Sequence, residues 1–212
     1  MVVPAPRKTH EQRRRDHCAE VGEGSTLQLI GFHRRPNGRQ TVIEREMAAD
    51  HVRFTQATRE DAARVHGITQ AAYAEYRGVL DPPSGVDREC IADVERALDE
   101  GGAVLAWIGD TAVGAVRLQH AADHLAVERL AVIPTARGQG IARALLAYLE
   151  DLVRQSHRPD VRLGVRLSLP LNVELYRRLG YHVLSVHPYP EGTDTWAVLT
   201  KTGDGVAHDR PV

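Results

Sequence analysis

LAVIPTARGQGIARALLAYLEDL, residues 130–152, reads as three pieces laid end to end. Leu130 to Ile133 is a short apolar, partly β-branched run, the pattern of a buried strand. Pro134, Gly138 and Gly140 punctuate the next segment and make it a loop. From Ile141 onward, apolar residues recur at Leu145, Tyr148, Leu149 and Leu152, the spacing of a helix with one buried stripe. A strand therefore feeds a glycine-containing loop that opens a helix.

The first N–H groups of a helix have no partner within it, and the aligned peptide dipoles place about half a positive charge there. Gly138 and Gly140 carry no Cβ, so an anion can approach the backbone closely. Arg137 and Arg143 add cationic side chains. Such a turn can hold a phosphate or pyrophosphate. It is not a P-loop, because no Gly-Lys-Ser/Thr follows. It is not a dinucleotide fingerprint, because Arg143 stands where the third glycine would be.

Arg137-Gly138-Gln139-Gly140-Ile141-Ala142 resembles the Arg/Gln-x-x-Gly-x-Gly/Ala acetyl-CoA signature of the GNAT superfamily of N-acetyltransferases. Downstream, Leu171-Asn-Val-Glu-Leu-Tyr-Arg-Arg-Leu-Gly-Tyr181 is similar to that superfamily's Asn…Leu-Tyr-x-x-x-Gly-Phe/Tyr segment. The two matches occur in the expected order. The resemblance spans residues 51–202 and implies an α/β (α+β) GNAT fold. Such a fold has a mixed central sheet of six to seven strands with helices on both faces, in the order β-α-α-β-β-β-α-β-α-β-β.

The chain carries 212 residues, 42% of them hydrophobic, with a net charge of −1. That balance gives no bulk attraction to nucleic acid, so nucleic acid is not an expected partner. No apolar run approaches the ~18 residues of a membrane span. No charged-then-apolar leader is visible at the start, and a soluble, cytoplasmic protein is the expectation. Cys18 and Cys90 are the only cysteines and indicate neither a disulfide framework nor a Cys-rich metal site.

Residues 1–50 read as an extension. They hold a basic cluster from Arg7 to Arg15 and a hairpin signal at Pro36-Asn37-Gly38, with the folded domain starting near Met47. Residues 51–202 form the catalytic domain and 203–212 a flexible tail. Val52 onward alternates as a first strand. Thr58 and Asp61 form a capping box before a helix through Ala62, Val65, Ile68 and Ala72. A second helix near Arg88 to Leu98 has Ile91, Val94 and Leu98 on one face, and Gly101-Gly102 ends it. A hairpin turns at Gly109-Asp110, and His124 to Ile133 is the next strand. Val161 to Leu169 alternates, with Gly164 marking a bulge or a close approach. Leu171, Leu175 and Leu179 form a stripe on a short helix that ends at Gly180.

The resemblance implies acetyl-CoA as cosubstrate, no metal, and transfer of acetyl to a primary amine. The acceptor is a small molecule, a protein N-terminus or a lysine. Backbone N–H groups from Arg137 to Arg143 would cradle the pyrophosphate. The edge of Leu130, Ala131 and Val132 would pair with the pantetheine arm, which Asn172 also contacts. Tyr176 is expected to protonate the leaving thiolate, and Glu128 to take the amine proton through water. Gly164 replaces the carboxylate that some relatives carry on the strand before the tyrosine helix. His182 and His187 read as strand-edge residues. Tyr73, Tyr76, Asp81, Tyr189 and Glu191 would rim the acceptor. A non-catalytic acyl-CoA-binding or sensing module is the alternative, and an adaptor using the basic arm is a third. A homodimer stays open.

Overall fold

The computed structural model describes residues 52–155 and 160–202. The readings made for residues 1–50 and for the tail from Gly203 lie outside the described residues. The elements follow the chain as β1 (Val52–Gln56), α1 (Ala62–Tyr73), α2 (Ile91–Glu100), β2 (Ala103–Ile108), β3 (Thr111–His120) and β4 (His124–Val132). After these come α3 (Ile141–Gln155), β5 (Asp160–Arg166), α4 (Pro170–Arg178), β6 (His182–Pro188) and β7 (Thr195–Thr202). One seven-stranded sheet has the order β1-β2-β3-β4-β5-β7-β6. Every pairing is antiparallel except β4 with β5.

Alternation along the strands sends side chains to two cores. On one face Val65, Ile68 and Ala72 of α1 and Val94 and Leu98 of α2 pack with Leu105, Ala115 and Ala131. On the other, Leu145, Leu146, Leu149 and Val153 of α3 pack with Val104, Val116, Val127, Val161 and Leu199. Leu145, Leu146 and Leu149 are completely buried, each burial stabilising by about 1.5–3 kcal/mol. Gly114 on β3 matters for seating α3. A Cβ there would lie 3.3 Å from Ile141 Cγ2 and 3.2 Å from the Ala131 carbonyl. The absence of a side chain lets the first residue of α3 settle onto the sheet.

The expected capping box forms: the Thr58 N–H donates to Asp61 Oδ2 at 3.0 Å. Gly180, at φ 87°, follows the last turn of α4 as expected. Two local expectations differ from the structure, and a third is decided by it. Ile91 is exposed rather than buried, because it is the first residue of α2 and projects before the helix meets α1. Leu171 is 84% exposed, so the Leu171-Leu175-Leu179 stripe is not the buried face of α4. Val173, Tyr176 and Leu179 pack against the core instead. Gly164 marks no bulge: its pairing with Val198 continues the register on both sides. It serves a close approach, since a Cβ would lie 3.4 Å from Trp196 Cε3.

Two irregularities shape the middle of the sheet. The β4–β5 ladder runs from His124↔Asp160 to Val127↔Leu163 and then stops, so the second half of β4 has no strand beside it on that flank. Against β3, the register shifts between Ala115↔Ala131 and Arg117↔Glu128. Arg129 and Leu130 together face Val116, a β-bulge, and Arg129 takes a left-handed φ of 51°. At the far edge, β6 is open to solvent, with Val183, Leu184 and Val186 all exposed.

Candidate active site

Where β4 and β5 part, a cleft of about 1070 Å³ opens, lined from the end of α1, the start of α3 and α4. Leu130, Ala131 and Val132 form one wall, and Gly164 and Val165 of β5 face them. Ile133 donates its N–H to the Val113 carbonyl at 2.9 Å, toward β3. Successive strand N–H groups point to opposite flanks, so the Val132 N–H is directed across the gap. The parted strands thus present an unpaired edge to the cleft.

At the end of that edge, a short 3-10 turn, Pro134–Ala136, leads to the glycine loop. Gly138 and Gly140 sit at φ 76° and 79°, conformations that only glycine adopts at little cost. Open space surrounds the position of a Cβ at both. Gly140 accepts the Ala144 N–H at 2.9 Å, which closes the first turn of α3. The amides of Ile141, Ala142 and Arg143 precede that bond and have no carbonyl within the helix.

The side chains of the loop divide. Gln139 and Arg143 are exposed. Ala142 lines the cleft. Ile141 is buried in the core, so only its backbone can meet a ligand. The Arg137 guanidinium, expected to add charge for an anion, is used elsewhere. It pairs with Glu75 Oε1 at 2.6 Å and donates to the carbonyls of Ala72 at 2.8 Å and Val132 at 3.3 Å. Arg137 therefore ties the loop to α1 and β4, which leaves the amides at the start of α3 as the free donors of this turn. That split was hidden in the sequence, because it depends on Glu75 of another element.

Tyr176 reaches the cleft from α4, and Tyr73 and Tyr76 reach it from the end of α1. Burial, reinforced by Tyr73 and Tyr76, holds the Tyr176 phenol far above its ordinary pKa, so it stays protonated. Burial likewise raises Tyr73, with Arg129 opposing. Tyr76 is raised by burial and by Glu75, with the neighbouring Asn172 amide opposing. Asn172 lines the cleft beside Tyr76. Glu128 projects from β4 beside the bulge, 41% of its side chain exposed, with Oε2 3.9 Å from Arg117 Nη2.

Two loops meet beside the cleft. The Asp81 carboxylate, between α1 and α2, accepts from the Thr193 N–H at 3.0 Å and hydroxyl at 2.9 Å. The Asp194 N–H donates to the Asp81 carbonyl at 3.1 Å. Asp194 in turn accepts from Ser168 at 2.6 Å and lies 3.3 Å from Arg166, whose guanidinium covers the Tyr189 ring. Burial raises the Asp194 carboxyl, but Ser168, the Thr195 amide and Arg166 outweigh it and leave the group lowered. Of the expected rim, Tyr73, Tyr76 and Tyr189 line the cleft, Asp81 latches it, and Glu191 is exposed outside it. His182 and His187 lie on the open edge strand, as expected, and His187 stacks on Trp196.

The model of the acetyltransferase (GNAT) family matches residues 64–181, a span that contains the edge, the loop and Tyr176. The chain belongs to that family. Among solved structures, the GNAT chain is similar in fold to the ribosomal-protein-S18-alanine N-acetyltransferase of Escherichia coli. The TM-score is 0.60 at 17% identity, covering 76% of this chain and 99% of the other. The PaiA N-acetyltransferase of Thermoplasma acidophilum, solved with coenzyme A, gives a TM-score of 0.58 at 16% identity over 71% and 98%. A GNAT-family acetyltransferase of Elizabethkingia anophelis with acetyl-CoA bound gives 0.55 at 17% over 72% and 99%. In sequence, the N-terminal acetyltransferase B complex catalytic subunit naa20 of Schizosaccharomyces pombe is 33% identical over 75 residues. That match takes in 34% of this GNAT chain and 42% of the relative's length. Among the described residues, no group of three or more His, Cys, Asp or Glu could hold a metal ion. No described helix is long and apolar enough to cross a membrane.

Proposed function

We propose that the chain is an acetyl-CoA-dependent N-acetyltransferase acting on a primary amine that enters the cleft end-first. The carrying observation is the unpaired edge at Leu130–Val132, which runs directly into the amide-lined turn at Gly138–Arg143. An amide-bearing arm ending in a diphosphate matches that pair of features.

Acetyl-CoA supplies the activated acetyl thioester. The amides from Gly138 to Arg143 bind its diphosphate, and the edge of β4 orients its arm. The Val132 N–H donates to the carbonyl oxygen on which charge develops. A lysine-like amine has a pKa of about 10.4 and is almost wholly protonated at neutral pH, so Glu128 takes a proton from it through water. Tyr176, kept protonated by burial, gives a proton to the departing sulfur. The Asp81–Thr193 latch roofs the acceptor side and favours a slender amine, such as a peptide N-terminus or a small molecule, over a lysine presented on a folded surface. The names of the naa20 and ribosomal-protein relatives accord with a protein acceptor.

The test mixes the protein with acetyl-CoA and separate panels of small amines, free-N-terminal peptides and N-acetylated lysine peptides, and follows thiol release. Release with the first or second panel is the expected result. Heat on titration with coenzyme A but no release with any amine would indicate a binding or sensing module, which Gly164, in place of a carboxylate, also fits. No heat would remove both readings.

A further inference from the structure

Glu89, in the turn before α2, takes no part in the chemistry above. Its side chain is only 9% exposed and accepts from Arg117 Nη1 at 2.8 Å. Arg117, on β3, is equally buried at 8%, and its Nη2 lies 3.9 Å from Glu128 Oε2. Arg129, at the bulge of β4, places Nε 3.9 Å from the same Glu89 oxygen. Its guanidinium lies against Gly85, in the turn that carries Glu89. The backbone around Glu89 is fixed to α1: the Glu89 carbonyl meets His66 Nε2 at 3.0 Å, and Gln70 Nε2 donates to the Val86 carbonyl at 2.7 Å. Tyr73 of α1 faces the same cluster.

Two carboxylates and two guanidiniums thus form a chain that runs from the α1–α2 turn through β3 to the bulge. A buried guanidinium needs a close anionic partner. Glu89 supplies it, and Glu128 stays at 3.9 Å with much of its surface open to the cleft. We propose that Glu89 is a positioning residue. It engages Arg117 and Arg129 so that Glu128 faces the acceptor amine instead of collapsing onto them. The proposal rests on the base role given to Glu128. Without the Glu89 charge, both guanidiniums would draw the Glu128 carboxylate into a direct pair, and a carboxylate so held is a weaker proton acceptor.

The experiment measures kcat and KM against pH for the full chain and its Glu89→Gln, Glu128→Gln and doubly substituted forms. Glu89→Gln should lower kcat about tenfold, less than the ~100-fold expected for loss of the base itself. It should move the acid limb of the profile to lower pH and leave the acetyl-CoA KM unchanged. In the Glu128→Gln background it should cost nothing more. Wild-type kcat and acid limb in Glu89→Gln, or losses that multiply in the double variant, would overturn the positioning role alone. An unchanged profile in Glu128→Gln would instead overturn the base role, and this proposal with it. Should Glu89→Gln not fold, Glu89→Asp serves, since it keeps the charge but draws it back from both guanidiniums by one methylene. An acid limb moved to lower pH at native melting temperature supports the proposal, and a wild-type kcat and acid limb refute it.

Discussion

On the proposed function, Tyr176 is the residue that supplies the proton to the leaving sulfur. Its phenol is pushed up by burial first and then by Tyr73 and Tyr76. The acid form is therefore held through neutral and mildly alkaline pH, and kcat should show no alkaline loss from this group below about pH 10. Tyr176→Phe keeps the ring packing and removes the proton; kcat should fall about 100-fold while calorimetry finds coenzyme A binding unchanged. Gly140→Val should act in the opposite sense. Its left-handed φ of 79° makes a side chain cost roughly 1–2 kcal/mol, and the new Cβ would stand where the diphosphate approaches. Coenzyme A affinity should drop about tenfold or more. Both residues were legible in the sequence because each sits in a contiguous motif. Glu89 was not, because its partner Arg117 is distant in the chain. The one signal available for it is Arg117 itself, a cation in the apolar run Val113–Leu118, which must find a carboxylate when buried.

At the scale of elements, periodicity predicted which segments are strands and helices but not always which side is wetted. In α1 the buried apolar residues are those the spacing selects; in α3 Leu146 and Val153 are buried beside Ile141, Leu145 and Leu149, while Tyr148 and Leu152 are only partly covered. α4 is a nine-residue helix with no fully buried residue. Two turns cannot distinguish a leucine stripe from the face that actually meets the sheet, and Leu171 ended in solvent. The strand–loop–helix unit depends equally on a residue outside it, Gly114 of β3. Gly114→Val should force Ile141 away from the sheet, with overpacking costing about 1–3 kcal/mol. Thermal unfolding should register that loss, and coenzyme A should bind more weakly, because the amides at the start of α3 move with Ile141.

For the whole molecule, the order of strands and helices followed from the sequence, whereas the latch across the cleft did not. Asp81 and Thr193 are far apart in the chain, and no local pattern reports a pairing of that separation. Asp81→Ala should remove both hydrogen bonds to Thr193, each to a charged acceptor and worth about 1.5–3 kcal/mol. The acceptor KM should rise about tenfold while the acetyl-CoA KM holds, a split that steady-state kinetics can read.

The place where β4 and β5 separate also governs how the molecule can breathe. Beneath it the core is continuous, since Leu145 and Leu149 belong to the same packed cluster as Val161 and Leu163. Above it, the clasp of Asp81 on Thr193 joins the two loops. The protein should therefore yield like a hinged case, on one side only. Amide hydrogen exchange should be fastest at the two meeting segments, around Asp81 and at residues 189–194, and slowest along α3. Saturating coenzyme A should slow exchange at Leu130–Val132 most of all, because the arm it inserts does the work of a missing strand.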